Sequence, residues 1–190
     1  MKNASLQEFL SFLEKQTKTS FRSDTVEDFL REYHLDPDDF APYIYFNEAG
    51  YGRNLIFRNE NCELLALTWL PGQSTPIHDH MGQRCWMVLQ TGSLTFNNFE
   101  PLTSDSQTPV SSGDPETISA PKSAYIDDNI GLHSIVNSST KPAVSLHLYA
   151  GPVSHCRVFD ENLGKFEIRD LNCFSEGTSL ENTQSELDDC

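Results

Sequence analysis

The sequence predicts a mainly β protein, an antiparallel sandwich or barrel with helices at its N-terminus. From Tyr51 onwards, short runs rich in β-branched and aromatic residues alternate with Gly, Pro, Asn and Asp. Before Tyr51, apolar residues recur instead at the three- and four-residue spacing of helices. The runs expected to form strands are RNLIFRN, CELLALTWLPG, CWMVLQTGSLTFNNF, SAYIDD, LHSIVN, AVSLHLYAG and CRVFDENLGKFEIRDL.

Two helices and one short helical turn are expected within residues 1–46. The Ser-x-x-Glu sequence at 5–8 has the form of a capping box, and apolar residues follow it at helical spacing. A second helix is predicted from about Thr25. Asp36-Pro37 is expected to open a third, short helix, because proline is tolerated in a first turn. We expect these helices to cover one end of the core.

The chain length suits a single domain over residues 1–174, in which the β-barrel occupies about 51–174. The stretch 101–123 is rich in Ser, Thr and Pro and is predicted to be mostly loop, with one strand. Residues 175–190 are acidic and contain few apolar side chains. Such a segment buries too little apolar area to offset its conformational entropy, so it is predicted to be a disordered tail.

Charge and cysteine usage restrict the partners and the compartment. The formal net charge of −15 argues against nucleic acid or an anionic membrane as a partner. No apolar run approaches the length of a membrane span, and the N-terminus does not resemble a signal peptide. The five cysteines are scattered and odd in number, which favours reduced thiols. We therefore expect a cytoplasmic protein, and we expect it to be a monomer.

The segment TPIHDHMGQRC contains the first candidate for chemistry, His78 and His80. Residues i and i+2 of a strand point to the same side, so on a strand that faces a barrel interior this pair supplies half a metal site. The pair alone is weak support, and a chance or packing pair stays open. His133, in IGLHSIVN, is a candidate third ligand. Imidazole ligands suit iron, zinc or copper alike.

Two motifs extend this interpretation. The pattern Gly-x5-His-x-His-x4-Cys-x6-Gly over residues 72–92 resembles the first cupin motif, and Gly-x-His-x3-Asn over 131–137 resembles the second, with one residue fewer. The resemblance implies a small antiparallel β-barrel (jelly roll) that holds a metal on these histidines. Cys85 stands where most cupins have a glutamate ligand. Three neutral imidazoles leave a divalent metal its full charge and open positions, which suits a substrate that binds as a sulfur anion.

The sequence resembles one cupin family in particular, the thiol dioxygenases of the cysteine dioxygenase type. The resemblance runs from about Tyr51 to Phe159 and rests on four segments in the family's order: YGRNL, IHDHMGQRC, IGLHSIVN and AVSLHLYAGP. It implies that His78, His80 and His133 bind Fe(II). The segment after the last tyrosine departs from the family, because Ala-Gly-Pro at 150–152 stands where Ser-Pro-Pro is common.

The same resemblance assigns the remaining site residues. Arg53 would bind the carboxylate of the substrate, with Tyr51 beside it, since a guanidinium fork matches a planar carboxylate. Three alternating residues of one strand would form a catalytic row: Ser145, His147 and Tyr149. In this row the serine hydroxyl would hydrogen-bond the histidine, and the histidine would hydrogen-bond the tyrosine hydroxyl. The tyrosine ring would be joined to Cys85 by a thioether. Because residues 80 and 85 have opposite parity, 81–84 must contain a turn or bulge.

The resemblance implies an Fe(II)-dependent enzyme that converts L-cysteine and O2 to cysteine sulfinate. Three alternatives stay open. The first is a dioxygenase for another small thiol such as 3-mercaptopropionate, although relatives that prefer it commonly have Gln at the position of Arg53. The second is a metal-binding cupin that senses a ligand without turning it over. The third is zinc on the three histidines performing hydrolysis.

Overall fold

The structure is a computed structural model that describes residues 2–22, 24–103, 108–177 and 179–180. The α-helices are α1 (Leu6–Glu14) and α2 (Thr25–Glu32), and 3-10 helices span Ser20–Arg22 and Pro37–Tyr43. The strands are β1 (Lys2–Ala4), β2 (Tyr33–Leu35), β3 (Gly52–Arg58), β4 (Glu63–Trp69), β5 (Cys85–Thr91), β6 (Ser93–Phe99), β7 (Glu116–Ser119), β8 (Lys122–Ile126), β9 (Leu132–Val136), β10 (Ala143–Tyr149), β11 (His155–Asp160), β12 (Lys165–Asp170), β13 (Ser175–Glu176) and β14 (Ser179–Leu180).

The N-terminal helices form where the local sequence predicts them. The Ser5 hydroxyl accepts the backbone N–H of Glu8, and the Glu8 carboxylate accepts the backbone N–H of Ser5, so the capping box is confirmed. Helix α2 begins at Thr25, as predicted. The predicted third helix is a 3-10 helix, and Asp36 caps it through the backbone N–H of Asp38.

The barrel has two layers. The larger sheet has the order β14-β13-β3-β4-β10-β5-β8, and β10 is antiparallel to both of its neighbours. The second layer contains β7-β6-β9 and the hairpin β11-β12. Single antiparallel bridges from His78 to His133 on β9 and to Val158 on β11 join these two parts. The predicted mainly β barrel is thereby confirmed.

Strand β10 separates two apolar cores. Its residues Leu146 and Leu148 belong to the cluster that the N-terminal helices cover, with Phe9 and Phe40 among its members. Its residue Tyr149 belongs to the other cluster, which fills the barrel interior. Because side chains alternate along a strand, every second residue of β10 faces the interior.

The ordered chain extends past the predicted boundary at residue 174. Strand β13 pairs in parallel with β3, and the buried Ser175 hydroxyl donates to Oδ1 of Asn54 at 2.7 Å. Residue 178 and residues 181–190 of the predicted tail lie outside the described residues. The single strand expected within 101–123 is β7, and β8 begins at Lys122. Among the helices of the described chain, none is long and apolar enough to cross a membrane.

Candidate metal centre

The prediction that His78 and His80 lie on a regular strand is wrong in its local detail. They lie on an extended, irregular segment between β9 and β11, where His78 makes isolated bridges rather than a continuous ladder. Pro76 precedes the pair, and proline has no N–H with which to continue a ladder. The backbone N–H of His78 donates to the carbonyl of His133 at 3.0 Å, so two of the histidines are placed by the same bridge.

Asp79 fixes this segment from the other side. Its carboxylate, buried to 1% exposure, accepts Nε of Arg157 at 3.0 Å and the backbone N–H of Arg157 at 2.9 Å. The Asp79 backbone N–H in turn donates to the Arg157 carbonyl at 3.0 Å. Sequence analysis did not single out Asp79. Its position between two histidines that face the interior predicts that its side chain points to the opposite side of the segment.

The imidazoles of His78, His80 and His133 converge in the barrel interior. One nitrogen from each lies within 4.8 Å of the others, an arrangement that can hold a metal ion. Nδ1 of His78 lies 2.9 Å from the carbonyl of Pro76 and is assigned as the donor, which leaves Nε2 free as a ligand. Burial lowers the pKa of His78 to about 3 and the pKa of His133 well below its ordinary value. Both rings are therefore neutral, the form in which histidine binds metals.

Asp128 orients His80. Its Oδ1 accepts the backbone N–H of His80 at 2.7 Å and lies 3.7 Å from Nδ1 of the ring, which has no hydrogen-bond partner among the described residues. Its Oδ2 accepts the backbone N–H of Gly82. Met81 and Gly82 both have positive φ, 51° and 78°, so the turn predicted between His80 and residue 85 is present. The sequence signal that was missed is the pair of aspartates at 127 and 128, shortly before His133.

A cavity of about 210 Å³ adjoins the three histidines, and Arg53 and Tyr51 line it. Arg53 is only 7% exposed, and its Nε has no hydrogen-bond partner within the described structure. Tyr51 hydrogen-bonds Arg53 and stacks on Trp69, with ring centroids 5.0 Å apart. A buried guanidinium with an unused N–H can bind a ligand carboxylate.

Glu63 is a buried carboxylate that sequence analysis missed. It is fully buried, lies 3.4 Å from Arg53 and accepts Nε of Arg58 at 2.7 Å. Arg58 and Glu63 are direct partners across the β3–β4 hairpin. The hairpin pairing could have been found from the sequence, because Arg58 lies near the end of one predicted strand and Glu63 near the start of the next.

The polar row on β10 differs in one contact from the predicted relay. The Trp69 indole donates to Oγ of Ser145 at 3.0 Å, and Oγ lies 2.9 Å from Nε2 of His147. We assign the Ser145 hydroxyl as the donor to His147. The other nitrogen, Nδ1, lies 3.8 Å from Sγ of Cys85. Among the described residues, no hydrogen bond joins His147 to Tyr149; their rings stack at 6.2 Å.

Cys85 and Tyr149 are direct cross-strand partners on β5 and β10. The Tyr149 hydroxyl hydrogen-bonds the Cys85 thiol. Burial raises the pKa of Cys85 to about 12, against the opposing effects of that hydrogen bond and the charge of Arg53. Burial also raises the pKa of Tyr149. Both groups therefore keep their protons at neutral pH.

Comparison with known proteins decides the family. The sequence matches the profile of the family Cysteine dioxygenase type I over residues 3–162. The chain belongs to this family. It is 34% identical over 164 residues to "Cysteine dioxygenase type 1" of Danio rerio, covering 83% of this chain and 82% of that one. The proteins of the same name from Rattus norvegicus and Homo sapiens are each 35% identical over 170 residues, covering 83% of this chain and 84% of theirs.

The region that matches the cysteine dioxygenase family includes both the N-terminal helices and most of the barrel, since it begins in β1 and ends just past β11. Every residue that the resemblance assigned to the site lies within the matched range. The structure brings those residues together at the 210 Å³ cavity, apart from Ser145 and Cys85, which contact His147.

Proposed function

We propose that this protein is an Fe(II)-dependent dioxygenase that converts L-cysteine and O2 to cysteine sulfinate. One observation carries the proposal: a cluster of three histidines and a buried guanidinium line the same cavity, in a chain of the cysteine dioxygenase family. The first supplies a metal site without a negatively charged ligand, and the second supplies a partner for an amino acid carboxylate.

The donor set fits iron. Three imidazole nitrogens, held by backbone bridges and by the carbonyl of Pro76 and the carboxylate of Asp128, suit a divalent ion and leave further positions open. When bound, Fe(II) supplies the redox chemistry by which O2 and a thiolate combine. The protein supplies the geometry and charge around it.

Arg53 positions the substrate. A carboxylate that accepts from its free Nε would fix cysteine with the sulfur towards the histidines, because Arg53 and the cluster line one small cavity. Cysteine and 3-mercaptopropionate both carry that carboxylate, whereas cysteamine does not. The amino group of cysteine faces no buried carboxylate among the residues lining the cavity except Asp79, which Arg157 already neutralises.

Tyr149 holds a proton at the reaction site. Because burial raises its pKa, the hydroxyl stays protonated and can donate a hydrogen bond into the cavity. Ser145 and His147 support Tyr149 indirectly. They hold the Cys85 thiol in place, and that thiol is hydrogen-bonded to the Tyr149 hydroxyl. Leu67, Ile135 and Val158 line the same cavity and limit the access of water.

A thioether between Cys85 and Tyr149 is part of this proposal. The S–H bond and one ortho C–H bond of the ring break, a C–S bond forms, and two electrons and two protons pass to O2. The cross-strand pairing and the hydrogen bond between the two side chains support it. The bond would lock the tyrosine ring in its working orientation.

Compartment and assembly are proposed on the same basis. We propose that the enzyme is cytoplasmic, which accords with four free thiols among the described residues. We propose that it acts in cysteine catabolism as a monomer. Light scattering on the purified protein tests the monomer.

The test is anaerobic loading with Fe(II), followed by an oxygen-electrode assay with cysteine, 3-mercaptopropionate and cysteamine. The proposal expects oxygen uptake that is fastest with cysteine, with cysteine sulfinate as the product. Faster turnover of 3-mercaptopropionate would make that thiol the substrate. An iron-loaded protein that takes up no oxygen with any thiol would instead be a binding protein. Purified protein that contains zinc instead of iron, and that takes up no oxygen, would favour the hydrolytic alternative.

A further inference from the structure

A second cavity, of about 470 Å³, reaches His133 of the histidine cluster from between β6, β7 and β8. Of the residues described, it shares only His133 and His147 with the smaller cavity that holds Arg53. The two cavities therefore meet at these two histidines, and their other lining residues differ. Nothing in the proposed binding of cysteine uses the larger one.

The inner end of this cavity is apolar and buried. Met87, Phe96, Ile118 and Leu132 line it, and each is between 2% and 9% exposed. Its outer end is polar, since exposed Glu116 and Lys122 stand at the rim. A zwitterionic amino acid finds no buried charged partner on the inner part, so desolvation would exclude it. A small neutral molecule has no charged groups to desolvate and therefore enters without this cost.

The smaller cavity has the opposite character. Arg53, Tyr51 and the Tyr149 hydroxyl make it suited to a charged substrate, and it is the smaller of the two cavities, at about 210 Å³. Cysteine seated there would obstruct the approach of a second reactant by the same path. The reaction that we propose needs O2 as well, and O2 is small and apolar.

We propose that the larger cavity is the entrance for O2, and that its apolar inner end delivers O2 to the histidine cluster while cysteine occupies the other cavity. This inference rests on the proposed function. Ile118 on β7 and Ala124 on β8 line the route from two sides. Neither residue contacts the substrate cavity. Added bulk at either position narrows the route and leaves the binding of cysteine intact.

The kinetic test compares Ile118→Phe with Ile168→Phe. Ile168 is 59% exposed on β12, so the second variant adds the same bulk outside the cavity. For iron-loaded Ile118→Phe, we expect kcat/KM for O2 to fall roughly fivefold or more, with kcat/KM for cysteine at saturating O2 nearly unchanged. Ile168→Phe should match the wild type. Ala124→Leu provides a second obstruction if Ile118→Phe does not fold.

An unchanged kcat/KM for O2 in a folded, iron-loaded variant would overturn the proposal, as would an equal loss for both reactants. Xenon provides a readout that is independent of activity, because apolar cavities bind it. Crystals of the wild type under xenon pressure should contain xenon between Met87, Ile118 and Leu132. Its absence there refutes the route even if the enzyme oxidises cysteine. Oxygen uptake that fails with every thiol refutes the proposed function instead.

Discussion

The guanidinium of Arg53 lies 3.4 Å from the carboxylate of Glu63, and both side chains are buried. Glu63 also binds Arg58, more closely, at 2.7 Å. The group of three therefore contains two cations and one anion. Its remaining positive charge and the free Nε both lie on Arg53, beside the cavity that receives the substrate. In the proposed complex, a carboxylate on the substrate would complete the pairing.

Glu63→Gln should destabilise the fold. The substitution leaves Arg53 buried without a counter-charge, and removing one partner from a buried ion pair costs about 3–5 kcal/mol. Urea denaturation measures the free energy of unfolding. Arg58→Gln is the matched control and should lower the free energy of unfolding by less. Arg58 is 38% exposed, and in this variant Glu63 still pairs with Arg53. Equal stability of Glu63→Gln and the wild type would mean that the pair contributes nothing.

Arg53→Ala should weaken the use of cysteine specifically. Hydrogen bonds to charged groups contribute about 1.5–3 kcal/mol, so kcat/KM for cysteine should fall roughly ten- to hundredfold, mainly through KM. Cysteamine, which has no carboxylate, is the control substrate, and its apparent KM should change little. If both thiols are affected to the same degree, or cysteine is unaffected, the carboxylate is bound elsewhere.

The thioether should form between Cys85 and Tyr149 during turnover. Fresh iron-loaded protein should contain it in part, and incubation with cysteine and O2 should increase the fraction whose intact mass is lower by two hydrogens. Peptide mapping should join the two strands at these residues. Cys85→Ser must lack the bond, whereas Cys156→Ser should retain it, because Cys156 lines the cavity but is not paired with Tyr149. A wild type without the bond after many turnovers contradicts the assignment.

Acid should destabilise the metal-free protein. His78 and His147 have pKa values of about 3 in the fold because burial disfavours their charged forms, whereas in the unfolded chain they titrate near 6.5. Between those values the unfolded state binds more protons, so the free energy of unfolding falls as the pH falls. Each fully titrating histidine contributes about 1.4 kcal/mol per pH unit.

Denaturation of the metal-free protein at pH 7 and pH 5 measures this slope. His147→Gln should flatten it, since one titrating group is removed. A stability that is constant or higher at pH 5 would mean that these histidines are charged in the fold.

Local patterns were sufficient for most of the fold. The capping box at Ser5 formed as expected, and the parity of His80 and Cys85 correctly required the turn at Met81-Gly82. Parity along a strand is a strong constraint because it follows from backbone geometry alone.

The errors arose from contacts between distant parts of the chain. Ser175 is the first residue of the segment that composition marks as a tail, yet its hydroxyl donates to Asn54 on β3. His78 and His80 were expected on a regular strand, but the segment makes only single bridges to β9 and β11. Glu63 passed unnoticed because a charge at the start of a strand is usually exposed, and its burial depends on two arginines from β3.

The proposed function requires three histidines to hold one ferrous ion in the barrel interior. Anaerobic equilibrium dialysis against Fe(II), with the bound metal determined by mass spectrometry, tests it most directly. The wild type should bind one iron per chain, and so should His155→Ala, whose histidine is exposed and outside the cluster. His133→Ala should retain none after dialysis. Stoichiometric iron in His133→Ala would show that His133 is not a ligand.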